Sequence, residues 1–223
     1  SPSLKANLTP FLKDSKIFVI PNFGEDYLCE KKNKATGDTL KILYLSNLME
    51  EKGILFLLEA LKKLEKENIT YKAKIAGNID RELKELIFDK ISNLKHTNYV
   101  GVVCKKEKRN LLKWSNIFVL PTFYKMEGQP ISILEALATD NVIVATSHAG
   151  IPDIIRIGVN GYFIKAKSSD SIVAVFLFLH ENKLKIKEIS KNNKKYFNNN
   201  FTQRIFTKNI IKVLNADTRI KNI

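Results

Sequence analysis

The stretch KILYLSNLMEEKGILFLLEALKKLEKENITYKAKIAGN, Lys41 to Asn78, decides the fold class. Its ends, KILYLSNL and YKAKIAGN, are apolar runs of strand length. Between them Ile54, Leu57, Leu58, Leu61 and Leu64 recur at the i, i+3, i+4, i+7 spacing of a helix with one buried face. Two strands joined through a helix are parallel and cross over right-handedly. Outward from this unit the alternation continues. TNYVGVV (Thr97–Val103), NIFVLPT (Asn116–Thr122), NVIVATS (Asn141–Ser147) and GYFIKAK (Gly161–Lys167) read as further strands. Helices are predicted over Asp80–Ser92, Lys105–Trp114 and Pro130–Thr139. Runs this apolar belong to strands covered on both faces, so the fold class is α/β, a Rossmann-like, doubly wound parallel sheet.

Ligands of such sheets bind beyond the carboxyl ends of the strands. That directs attention to the loops SNLMEEKG, AGNID, VVCKKE, TFYKMEGQP and SHAGIP. None contains the dinucleotide fingerprint GxGxxG or the phosphate loop GxxxxGK[ST], which sets aside ordinary dehydrogenases and P-loop enzymes. Residues 1–36 differ in texture, with a short helical piece and a strand expected in IFVIPN (Ile17–Asn22) before a polar stretch; they read as an interdomain hinge or linker. Residues 37–183 form the Rossmann-like domain, and 184–223 a Lys- and Asn-rich helical tail.

The 223 residues suffice for one sizeable domain, and 44% are hydrophobic, as expected of a globular chain. The longest apolar run, IVAVFLFL (Ile172–Leu179), is a buried helix face and too short to span a bilayer. Cys29 and Cys104 show no metal-ligand spacing, and Cys104 reads as a small packing residue. A reducing, cytoplasmic compartment follows. The net charge of +14 would suit an anionic partner. Its lysines are scattered along helix faces without an Arg-rich stripe or aromatic ladder, so nucleic acid is not expected. The start, SPSLKANLTP, has neither an initiator Met nor a secretory apolar stretch, and reads as the beginning of an excised fragment.

The chemistry concentrates in EGQPISILEALATD, Glu127–Asp140. Pro130 suits a first helical turn, because its missing N–H would be unpaired there anyway, so the helix is expected to begin near Gln129. The free N–H groups of Ile131 and Ser132 and the positive dipole end then make an anion site. Gly128 admits close approach of a ligand and a positive φ if the turn demands one. Carboxylates repel phosphate, so Glu127 and Glu135 need another use. Each is a pure hydrogen-bond acceptor, suited to hydroxylated rings flanking a diphosphate. A nucleotide sugar has that layout. His148 reads as a polar loop residue.

These residues resemble the retaining GT-B glycosyltransferases of the family-four type (glycosyl transferases group 1), whose donor domain carries Glu-x7-Glu. Alone that motif is weak. Here it stands in order with SNLMEEKGILFLLEAL, YVGVV, NIFVLPTFYKMEGQPISILEALATDNVIVATSHAGIPDII, GVNGYFIKAKSSDSI and a hinge-like IPNFGED. The resemblance implies that Glu127 holds donor-sugar hydroxyls and Glu135 the ribose hydroxyls. It gives Gly128, Gln129, Pro130, Ile131 and Ser132 to the sugar and diphosphate, Val103 to the base, and Lys52 to the diphosphate. Glu127 and Lys52 are then the catalytic pair. Where the family has an Arg five positions before that Lys, this chain has Asn47, which donates a hydrogen bond but cannot neutralise a phosphate. The resemblance further implies a nucleoside-diphosphate sugar as donor, with UDP favoured, no cofactor and no obligatory metal. A missing N-terminal acceptor domain is expected as partner, and the glycan or lipid-linked acceptor of cell-surface polysaccharide synthesis as substrate. The basic balance adds an anionic inner-membrane surface. A binding module without catalysis and a GT-B-type nucleotide-sugar epimerase are the alternatives.

Overall fold

The computed structural model describes residues 1–29 and 39–220. A six-stranded sheet forms the centre: β1 (Leu40–Leu45), β2 (Tyr71–Ala76), β3 (Thr97–Tyr99), β4 (Ile117–Leu120), β5 (Val142–Thr146) and β6 (Gly161–Ile164). The helices are α1 (Pro2–Lys5), α2 (Ile54–Lys66), α3 (Lys84–Ser92), α4 (Lys105–Trp114), α5 (Ile131–Ala138), α6 (Ser169–Glu181), α7 (Lys183–Asn200) and α8 (Gln203–Ile220). Every strand pairing is parallel, in the order β3-β2-β1-β4-β5-β6. The expected Rossmann-like, doubly wound sheet is present. β4 and β5 are buried along their whole length, as parallel strands covered on both faces must be. Among the described residues no helix is long and apolar enough to cross a membrane.

The strand order reverses between β1 and β4, where Ile42 pairs with Ile117 and Leu43 with Phe118. This is the topological switch point, and the loops leaving the two strands open a crevice there. Gly53 lets them meet. It sits at φ +77°, and a Cβ on it would lie 2.2 Å from the Pro121 carbonyl oxygen. The Phe123 N–H donates to Glu51 O at 2.7 Å across the same junction.

α2 packs on α6 and α5 on α7, burying Leu57, Leu58, Leu61 and Leu64 as the periodicity predicts. α7 joins the core through Ile186, Ile189 and Phe197. Its Asn193 is fully buried and donates to the carbonyls of Asn141 and Asn160, tying the helix to the strands' entry loops. Asn193→Ala strands those acceptors, and an unfolding midpoint in urea is expected to report a loss of about 1–3 kcal/mol. An unchanged midpoint would mean that α7 is held by its apolar contacts alone.

Three sequence expectations change. Ile17–Asn22 is extended chain outside the sheet, with Phe18 exposed: among the described residues it has no strand to pair with, and apolar character alone does not make a strand. The Thr97–Val103 strand ends at Tyr99, and Asp80–Ser92 opens as a 3-10 turn before α3. The polar stretch at 30–38, which spans the expected boundary between linker and domain at 36–37, lies outside the described residues.

Candidate functional site at the switch point

β1 delivers one side of the crevice. Tyr44 is buried beneath its exit, and its hydroxyl donates to Asn47 O at 2.9 Å, shaping the loop that carries Lys52. Burial holds this phenol far above its ordinary titration range, opposed by a Ser46 hydrogen bond and reinforced by the charge of Glu127. It stays a neutral donor.

β4 delivers the other side. In the loop that follows it, Glu127 receives the Lys52 ammonium at 2.8 Å and the Thr122 hydroxyl at 2.8 Å, both on Oε2. The Thr122 Oγ1 in turn accepts the Tyr124 N–H at 3.2 Å. Lys52 also lies over the Tyr124 ring, 4.6 Å from its centroid. The side chains of Lys52 and Glu127 are 14% and 8% exposed, so this is a sheltered pair in which each charge is met by the other and by fixed dipoles. His148 Nε2, 2.8 Å from Tyr124 O, fastens the β4 loop to the loop after β5, and the Gly150 N–H does the same through Gly128 O at 3.1 Å.

One turn inside α5, Glu135 is buried, with its side chain 5% exposed, and receives the Lys108 ammonium from the first turn of α4 on Oε1. Burial pushes its carboxyl above the ordinary value, against the lowering pull of Lys108. Burial also pulls the Lys108 ammonium down, but the Glu135 hydrogen bond and charge more than offset this, leaving it raised. Both groups are thus raised, but for different causes: burial prevails for Glu135, which is sealed from water, and the ion pair prevails for Lys108, which at 22% exposed keeps a path to it. For the carboxylate, then, burial outweighs its partner.

The structure brings Lys52 and Glu127 together and places Glu127, Gly128, Gln129 and Pro130 in the run that enters α5. The helix begins at Ile131, with Pro130 as its cap residue, two positions later than the expected start near Gln129. The N-terminal segment instead holds Gln129: Asn22 N–H donates to its Oε1 at 2.5 Å, and Asn22 Nδ2 to its carbonyl at 3.2 Å. Gly128 is not in the left-handed region, and a Cβ there would meet nothing within 4 Å, so the crevice side of this residue is open. Ile131 is exposed and Ser132 half-buried at the helix entrance. Asn47 is exposed at the mouth of the β1 loop. Val103 lies half-buried beyond the end of β3. Cys104 is exposed, so the packing role expected of it is absent. Among the described residues no group of three His, Cys, Asp or Glu side chains is placed to hold a metal ion.

Sequence reasoning passed over Thr122, Lys108 and the bridging part of His148. Elsewhere, a concavity of about 610 Å³ runs along α8, lined by Gln203, Arg204, Lys208 and Ile211. Its lining residues all come from the single helix α8, whereas the crevice has two sheltered ion pairs.

The family model described as "Glycosyl transferases group 1" matches residues 29–196, three quarters of the chain. The chain belongs to this family. The amylovoran biosynthesis glycosyltransferase AmsK of Erwinia amylovora is 26% identical over 191 residues, covering 82% of this chain and 46% of its own length. The putative colanic acid biosynthesis glycosyltransferase WcaL of Escherichia coli is 24% identical over 192 residues, 82% of this chain and 47% of that protein. This group 1 chain therefore spans about half the length of the curated relatives it matches. Its fold is shared with Anabaena HepE crystallised with UDP and glucose, at a TM-score of 0.80 and 16% identity over 95% of this chain and 60% of that one. The C-terminal domain of the group 1 glycosyl transferase LpcC of Francisella tularensis aligns at a TM-score of 0.64 and 22% identity, over 72% of this chain and 85% of that one.

Proposed function

We propose that this chain is the donor-binding half of a retaining GT-B glycosyltransferase, and that the switch-point crevice takes a nucleoside-diphosphate sugar, UDP-linked in preference. The observation that carries the reading is the pairing of two sheltered carboxylates, Glu127 and Glu135, around the amino end of α5, each with a lysine. On this reading Glu135 accepts the ribose hydroxyls and Glu127 the sugar hydroxyls. The backbone N–H groups of Ile131 and Ser132, the α5 dipole and Lys52 face the diphosphate. Transfer breaks the bond between the anomeric carbon and the phosphate oxygen, the departing nucleoside diphosphate carrying away the electron pair, while the acceptor hydroxyl oxygen forms the new bond to the anomeric carbon and gives up its proton to the departing phosphate oxygen. The charge it develops is what Lys52 and the helix amides are placed to meet, with no metal or cofactor asked for. Asn47 leaves the β1 loop one cation short of the family pattern, so Lys52 bears more of that charge.

HepE and the relatives AmsK and WcaL support the donor class and a place in surface-polysaccharide synthesis. The rest of such an enzyme is an N-terminal acceptor domain, with the acceptor a glycan or lipid-linked sugar at the inner face of an anionic membrane. Calorimetric titration of the chain with UDP, GDP and ADP tests the donor assignment. UDP is expected to bind more tightly than the other two, and silence across all three would overturn it.

A further inference from the structure

Lys108 has no place in the resemblance that points to Glu127, Glu135 and Lys52, and no spacing in the sequence connects it with Glu135. The fold makes the connection. α4 starts beyond β3 and α5 beyond β4, and the first turn of α4 lays the Lys108 ammonium on Glu135 Oε1. We propose that Lys108 is a positioning residue, which holds the Glu135 carboxylate in place on α5 as the acceptor for the ribose of a bound nucleotide. The inference rests on the ribose role given to Glu135 above and adds the group that makes that role workable.

The physical need is plain. A carboxylate with 5% of its side chain exposed has little water to fix its orientation or stabilise its charge. Burial already pushes it toward the neutral form, and among the described residues Lys108 is the cation acting against that; Glu25, from the N-terminal segment, adds repulsion. Tyr27 from the same segment also faces Lys108 and is itself raised, by burial first, with the Lys108 charge lowering it. The environment of Glu135 thus comprises a cation, a further carboxylate and a phenol. Without the cation, burial and Glu25 act together, and Glu135 takes up a proton at a higher pH. A protonated carboxyl gives up part of its acceptor capacity.

The test uses UDP as probe and compares wild type, Lys108→Met, Lys108→Arg and Glu135→Ala, with dissociation constants measured from pH 5.5 to 8 and each variant referred to wild type at the same pH. Side-chain carbon NMR follows the Glu135 titration without ligand. Lys108→Met is expected to raise the Glu135 titration and to weaken UDP about tenfold at the acid end, with the deficit shrinking as pH rises, while Lys108→Arg stays within about threefold of wild type. A Glu135 titration unmoved in Lys108→Met, or a deficit independent of pH, overturns the positioning role. If Glu135→Ala itself binds UDP as wild type does, the ribose reading fails instead, and the carbon titration still decides whether Lys108 governs that carboxylate.

Discussion

Gly53→Ala lowers stability by roughly 2–4 kcal/mol and removes nucleotide binding with it; this is the expected result, because two separate costs fall on one position. The residue is at φ +77°, where an L side chain is strained, and its new Cβ would stand 2.2 Å from the Pro121 carbonyl oxygen. Neither atom is a flexible side-chain end that can swing away. Relief requires the β1 and β4 exit loops to part, and these loops carry Lys52 and Glu127. Gly158→Ala separates the two costs: Gly158 has a similar φ of +73°, and a Cβ on it would have nothing within 4 Å, so only the backbone cost of about 1 kcal/mol remains. Urea midpoints of the two variants give the comparison. Equal losses would mean that the close approach of the loops is not what Gly53 provides.

Glu135→Ala is expected to weaken UDP by about 30- to 100-fold while changing stability little, because the lost hydrogen bonds are charge-assisted and made to the ligand. The stability half follows from the direction of its titration. The folded carboxyl is raised, so the folded state favours the protonated form. The stabilisation from that preference is complete below the unfolded value and is lost as pH rises through the folded one. At neutral pH the buried charge is therefore tolerated rather than stabilising. Lys108, left behind by the substitution, is 22% exposed and reaches water. A thermal melt at pH 7 and a UDP titration check both halves; a large stability loss with affinity intact would place Glu135 in the fold and not in the site.

Much of this architecture was legible because it rests on short-range signals. The leucine spacing of 54–64 and the apolar runs of β1, β2, β4 and β5 need no partner to be seen, and Glu127, Gly128, Pro130 and Glu135 lie within nine residues of one another. What escaped depends on contacts between distant segments. Thr122 serves Glu127 across a loop, and neither residue type announces it. Lys108 reaches Glu135 from 27 residues away, one lysine among many until the sheet sets α4 beside α5. Gln129 is held by Asn22 across 107 residues. The Ile17–Asn22 strand failed for the converse reason: its composition suits a strand, but a strand needs a neighbour, and among the described residues it has none. Gly53 stood in plain view in the β1 loop, yet its necessity comes from Pro121, which only the switch-point geometry brings near.

A crystal structure of this chain with UDP would show at once where the nucleotide sits. The ribose hydroxyls are expected on Glu135, with Lys108 still in place behind it, and the diphosphate between Lys52 and the amides of Ile131 and Ser132. A nucleotide bound elsewhere, for instance along Gln203 to Lys212 of α8, with the Glu127 and Glu135 pairs untouched, would contradict the donor site proposed for the switch-point crevice.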